Sequence, residues 1–106
     1  LADQNIHVIA AVLSIFPEWQ EWNRKNIVGY AEVYIKASMD ILEKRDANNL
    51  YADAKAGNIK NVVGIDIPFP EPKHPDVIIE NNIERSDFSI MLKEILQLDT
   101  VNEALK

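Results

Sequence analysis

Residues 7–37 read HVIAAVLSIFPEWQEWNRKNIVGYAEVYIKA, and the change of pattern inside this stretch decides the fold class. His7–Ile15 is almost continuously apolar and rich in Val and Ile, with no period-two alternation. A short strand buried on both faces of a parallel sheet reads this way. Pro17 stands where a first helical turn tolerates a residue without an amide hydrogen. Trp19, Trp22, Asn23 and Asn26 then recur at helical spacing up to Gly29, which predicts a helix over Pro17–Val28. In Tyr30–Ala37, Ala31, Val33 and Ile35 alternate with Glu32, Tyr34 and Lys36, the period of a second strand. Strand, helix, strand is the unit from which parallel sheets with right-handed crossovers are built.

Outward from this unit, Met39–Arg45 sets Met39, Ile41 and Leu42 beside Asp40, Glu43 and Lys44, a short amphipathic helix ended by Asp46-Ala47-Asn48-Asn49. Leu50–Ala56 predicts another short helix, closed by Gly57 at its carboxyl cap. Asn58–Asp66 reads as a loop with extended character. Four of the five prolines fall within Pro68–Pro75, a stiff extended connector with fixed φ and few amide donors. Asp76–Glu80 is a third, β-branched strand. Ser86 is placed to cap a helix whose apolar face is Phe88, Met91, Leu92 and Ile95, prolonged by Leu98, with a further turn over Val101–Lys106. The expected architecture is α/β, a parallel sheet of three strands with flanking helices, in one domain over residues 1–106.

The chain has 106 residues, 47% of them hydrophobic and 26% charged, the balance of a folded globular domain. It has no cysteine, which removes disulfides, thiolate metal sites and a thiol nucleophile together. A formal charge of -6 disfavours nucleic acid or an acidic membrane as partner. No apolar run approaches the roughly 18 residues of a membrane span. A cytoplasmic enzyme or binding domain is expected.

Local chemistry is sparse. His7 and His74 have no His, Asp or Glu neighbour at a ligand spacing, so no metal site is expected on them. Ser14 ends the first expected strand, where open parallel sheets place ligands, but it lacks a Gly-x-Ser-x-Gly elbow and suits a polar contact better than a nucleophile. Trp19 and Trp22 read as a core stripe in preference to a stacking platform. Glu43-Lys44-Arg45-Asp46 is either a solvated helix end or the start of a lid over a phosphate site. The three glycines, Gly29, Gly57 and Gly64, do not have the spacing of Gly-x-x-x-x-Gly-Lys-[Ser/Thr], so these residues contain no phosphate cradle.

The run Leu42–Asp66 (LEKRDANNLYADAKAGNIKNVVGID) carries Arg45-Asp46, Leu50-Tyr51, Ala56-Gly57-Asn58-Ile59-Lys60 and Gly64-Ile65-Asp66, followed by Pro68-Phe69. In order and spacing it resembles adenylylsulfate kinases, which have Arg-Asp, Gly-Leu-Tyr, Gly-Glu-Ile-Lys and Gly-Phe-Thr-Gly-Ile-Asp there. Val12-Leu13-Ser14 looks like that family's Phe-Ile-Ser-Pro segment. The resemblance implies a P-loop kinase-like fold of which residues 1–106 are the carboxyl-terminal portion, the phosphate loop lying in a missing amino-terminal segment or chain. The opening at Leu1 fits that expectation. It further implies phosphorylation of the 3′-hydroxyl of adenosine 5′-phosphosulfate by ATP with Mg²⁺, both bound mainly by the missing part, and a homodimer.

Carried over residue by residue, Arg45 matches the lid arginine that stabilises phosphate charge. Leu13, Ser14, Asn48, Asn61 and Val62 match the acceptor pocket. Asn81 and Glu84 fall, with Arg45, where the donor nucleotide rests. Asn48 stands where the family has lysine, Asn49 where it has glycine, Ile15 where it has proline, and Val62 where it has a phenylalanine stacked on the acceptor base. The departures at Asn48 and Val62 motivate one alternative, a related kinase acting on another activated nucleotide such as cytidine diphosphoramidate; the missing phosphate loop motivates another, a non-catalytic remnant serving as an interaction domain.

Overall fold

The computed structural model describes residues 1–46, 48–84 and 87–105. After a single 3₁₀ turn at Ala2–Gln4, the elements are α1 (Pro17–Asn26), β1 (Val33–Lys36), α2 (Met39–Arg45), α3 (Leu50–Lys55), β2 (Val77–Glu80), α4 (Ser89–Leu96) and α5 (Asp99–Ala104). β1 and β2 pair in parallel, with Val33 opposite Val77 and Lys36 opposite Glu80. The fold is α/β with a small parallel sheet and flanking helices, as expected. The crossover between the strands consists of α2, α3 and the proline connector.

Local chemistry accounts for the element ends. Pro17 occupies the first turn of α1, where its missing N–H would have no partner in any case. The expected helix to Val28 stops at Asn26, since Ile27 is already extended and Gly29 takes φ 68°. Ser38 Oγ accepts the Ile41 N–H and caps α2. α3 closes on Gly57 at φ 82°, where Gly57 N–H donates to Ala54 O and Asn58 N–H to Asp53 O. These are the two bonds of a Schellman cap. The Ser86 cap lies outside the described residues; α4 begins at Ser89, whose N–H and Oγ–H both donate to Asp87 Oδ1.

The strand expected over His7–Ile15 is corrected. Residues 6–16 belong to no helix or strand, and Ile9 is 99% exposed. A strand exists through its ladder, and a fully apolar segment buries both faces only between neighbours; here neither β1 nor β2 pairs with it. The core is correspondingly small. Among the described residues the buried apolar ones are Val62, Ile79 and Met91, the last two on β2 and α4 respectively, which pack together. Trp19 and Trp22, read as a core stripe, are 59% and 51% exposed. Among the described residues no second apolar layer covers that face of α1.

What holds α1 to the sheet is charge. Arg24 donates to Asp76 Oδ1 at 3.2 Å and Oδ2 at 2.9 Å, and to His74 O at 2.8 Å. It lies 3.5 Å from Glu32 and 5.3 Å from the Tyr30 ring centroid. Asp76 Oδ2 also accepts the Glu32 N–H at 2.6 Å. The knot thus joins the residues just before both strands. Burial acts to raise the Asp76 carboxyl, but the Arg24 hydrogen bonds, the Glu32 N–H and the Arg24 charge outweigh it and hold the group below its ordinary 3.8. A depressed carboxyl contributes stability above its unfolded pKa and loses it as pH falls through the folded value, so the tie weakens below about pH 4. Asp76→Ala is expected to lower unfolding stability by about 1–2 kcal/mol at this partial exposure, read by urea denaturation, with the difference from wild type shrinking in acid.

One face of β1 is strapped by the proline connector. Tyr34 Oη donates to Glu71 Oε1 at 3.3 Å, Lys36 Nζ sits 3.0 Å from the same oxygen, and the Tyr34 and Phe69 rings lie 6.1 Å apart. Among the described residues no helix is long and apolar enough to cross a membrane.

Candidate functional site

Open parallel sheets bind ligands beyond the carboxyl ends of their strands, and here those ends are Lys36 and Glu80. Three bonds lock the chain segments that leave them. Asn81 N–H donates to Lys36 O at 2.7 Å, Ser38 N–H donates to Asn82 Oδ1 at 2.9 Å, and Arg45 Nη1 donates to Asn81 O at 2.8 Å. Ser38 both caps α2 and donates its N–H to the Asn82 side chain, so the helix that carries Arg45 is registered to the end of β2. Arg45, Asn81, Ile83, Glu84 and Phe88 line an open cleft of about 360 Å³, within the size range of small-ligand sites.

The three residues expected at the donor nucleotide, Arg45, Asn81 and Glu84, are therefore neighbours in space. Arg45 brings a fixed cation with spare donors, Glu84 an acceptor carboxylate, and Phe88 and Ile83 apolar surface. A guanidinium suits phosphate oxygens, a carboxylate suits hydroxyl or amino donors, and a ring suits a base face.

Helices α2 and α3, expected to form a lid, are joined to each other. Asp46 Oδ2 accepts the Tyr51 N–H at 2.8 Å, and Lys55 pairs with Glu43. Asn49 has φ 53°, a left-handed conformation that asparagine enters more readily than most residues. This is how Asn49 serves where the resembled pattern has glycine. Asn48 is an exposed turn residue beside it.

The acceptor-side residues are dispersed. Leu13 is exposed on the irregular 6–16 segment, and Ser14 Oγ accepts from the buried Gln20 Nε2 at 3.1 Å. Asn61 and Val62 open a tight turn in which Gly64 N–H donates to Ile67 O, and Ile65, Asp66 and Ile67 N–H all point at Val62 O. Asp66 closes that turn from below, its two carboxylate oxygens accepting the Asn61 and Val62 N–H groups at 2.6 Å each. These two bonds, in that order, hold the Asp66 carboxyl below its ordinary 3.8. Gly64 has φ 94°, and a Cβ there would lie 3.4 Å from Met39 Sδ, so the turn rests on the first residue of α2. Leu13, Ser14, Asn48, Asn61 and Val62 line neither the Arg45 cleft nor the cavity beside Arg24.

The roles of Asn82 and Asp66 escape local pattern reading, because each acts through a backbone amide. Asn82 leaves no mark in the sequence; Asp66 has a signal only as the acid ending Gly64-Ile65-Asp66. At the opposite, amino-terminal ends of the strands, a cavity of about 30 Å³ beside Arg24, Glu32 and His74 has room for about one water. Glu32 Oε1 is buried there without a hydrogen-bond partner. Among the described residues no three His, Asp or Glu side chains are grouped as a metal site would need, so the Mg²⁺ that the resemblance implies finds no donor set in them.

Comparison with known proteins bears on this geometry. Residues 1–80 match the family model described as adenylylsulphate kinase. The chain is similar to a cytidine diphosphoramidate kinase of Campylobacter jejuni, 42% identical over 82 residues that cover 77% of this chain and 48% of that protein. It is also similar to an adenylyl-sulfate kinase of Prochlorococcus marinus, 34% identical over 103 residues, 93% of this chain and 51% of the other. A probable adenylyl-sulfate kinase of Archaeoglobus fulgidus is 34% identical over 82 residues, 77% and 53% of the two chains. The chain thus spans about half the length of these curated relatives.

Proposed function

From the premise that the chain belongs to the adenylylsulphate kinase family, we propose that it supplies the lid and the donor-nucleotide flank of a kinase that transfers a phosphoryl group from ATP to the 3′-hydroxyl of adenosine 5′-phosphosulfate. The observation that carries this reading is the meeting of Arg45, Asn81 and Glu84 in one cleft at the carboxyl ends of β1 and β2. Transfer of this kind depends on placing donor and acceptor in line and stabilising charge on the moving phosphoryl group, with no covalent protein intermediate. Arg45 is the side chain here that suits that charge. To reach it, the guanidinium exchanges its bond to Asn81 O for the phosphate, an exchange of a neutral acceptor for a charged one. Mg²⁺, on this reading, is held mainly by residues outside this sequence, since among the described residues no three His, Asp or Glu side chains are grouped.

The phosphate grip comes, on this reading, from residues outside this sequence, whose glycines lack the required spacing. The large apolar residues left exposed, Ile9, Val12, Leu13, Trp19, Ile35 and Ile78 among them, suit contact with such a segment and with a second subunit. A second acceptor, cytidine diphosphoramidate, is favoured by one feature. Val62 stands where the resembled family stacks an aromatic ring on the acceptor base, and its side chain is 7% exposed, which leaves no platform for a purine.

The test is turnover by the active kinase containing these residues, with ATP and each acceptor in turn, the 3′-phosphorylated product being separated by anion exchange. Formation from adenosine 5′-phosphosulfate at low concentration supports the first reading. Preference for cytidine diphosphoramidate replaces it with the second, and transfer to neither leaves the interaction-domain alternative.

A further inference from the structure

We propose that Asp66 is a positioning residue for the acceptor: its carboxylate fixes the Asn61–Val62 main chain, and through that turn it sets the affinity for the acceptor nucleotide. This rests on the assignment of Asn61 and Val62 to the acceptor side. Its own support is geometric. Both Asp66 oxygens are committed to adjacent backbone N–H groups at 2.6 Å, and hydrogen bonds to an ionised carboxylate are among the stronger ones. Asn61 is held at φ 63°, a left-handed conformation that asparagine adopts at lower cost than most residues but that persists where its surroundings fix it. Removing the clamp frees precisely that residue.

The turn has a second anchor. Val62 is buried and its carbonyl collects the N–H groups of Ile65, Asp66 and Ile67, while Gly64 lies against Met39 at the foot of α2. The 62–67 half therefore has its own hydrogen bonds and packing. The Asn61 and Val62 amides both donate to Asp66, and so the start of the turn depends on the carboxylate in a way the residues after Val62 do not. An acidic side chain that points at two backbone amides does not itself touch a nucleotide; it decides where Asn61 stands when one arrives. The clamp also joins acceptor side to lid, since the same turn touches the start of the helix that bears Arg45.

The test uses the active kinase with Asp66→Asn and Asp66→Ala, measuring KM for the acceptor and for ATP separately, thermal unfolding, and backbone amide exchange at Asn61 and Val62. Asn keeps one acceptor oxygen and Ala keeps none. The expected result is a graded rise in acceptor KM, reaching about ten- to a hundredfold in Asp66→Ala, with ATP KM and melting temperature held and exchange accelerated at Asn61 and Val62. Unchanged acceptor KM overturns the proposal, as does a loss shared equally by both substrates or accounted for by a lowered melting temperature. Should the wild-type kinase transfer phosphate to neither acceptor, the functional reading itself fails; faster exchange in Asp66→Ala would then leave Asp66 as a turn residue only.

Discussion

On the proposed function, replacing Arg45 by alanine is expected to lower phosphoryl transfer by about 100- to 1000-fold, the effect of deleting one donor aimed at developing charge. The loss falls mainly on kcat, because a group engaged more strongly in the transition state than with bound ATP contributes little to ground-state affinity. Arg45→Lys recovers only part of the rate: an ammonium restores the charge but not the planar fork that meets two phosphate oxygens together. Arg45 also donates to Asn81 O at 2.8 Å, so its removal loosens α2 as well. Steady-state kinetics beside a melting curve separates the two effects. If Arg45→Ala melts as wild type does and keeps its kcat, Arg45 has no part in the chemistry.

The second large effect concerns folding. Ile79→Ala is expected to abolish the cooperative unfolding transition. Truncating a buried isoleucine costs about 2–5 kcal/mol, against a total of about 5–15 kcal/mol for an ordinary domain. Ile79 is 3% exposed and shares the buried apolar core with Val62 and Met91 among the described residues, so little else can compensate. Ile79→Val removes a single methyl and is expected to cost only about 0.5–1.5 kcal/mol. Circular dichroism followed through a thermal ramp distinguishes them, and a sharp transition in Ile79→Ala near the wild-type temperature would show that stability resides elsewhere.

Periodic segments were the legible part of this fold. The alternation through Val33, Tyr34 and Ile35 marked β1, Val77-Ile78-Ile79 marked β2, and Gly57 marked the end of α3, because each is decided within a few residues. His7–Ile15 failed for the opposite reason: an unbroken apolar run states that it wants burial but not against what, and in this structure no strand accepts it. The tryptophans of α1 failed likewise, their helical spacing being correct and their expected covering layer absent. Arg24 and Asp76 are 52 residues apart, and no local period announces such a pair. At the site, motif order led to Arg45, Asn81 and Glu84, which the fold brings together. It did not show that Val62 turns its side chain inward, nor that Asn82 and Asp66 act on backbone amides.

The Arg24 knot grips both strands just before they begin, while a few hydrogen bonds and a lone tether from Asn82 join the segments beyond their far ends. The sheet is thereby fastened like a hinge along one rim. Thermal fluctuations that separate the loops above Lys36 and Glu80 need not unzip the ladder beneath them, so opening of the cleft belongs to the low-energy end of the molecule's local unfolding events. A fold with so small a core gains from this asymmetry: motion is admitted at the rim that carries the Arg45 cleft, and the rim that keeps the strands in register stays closed.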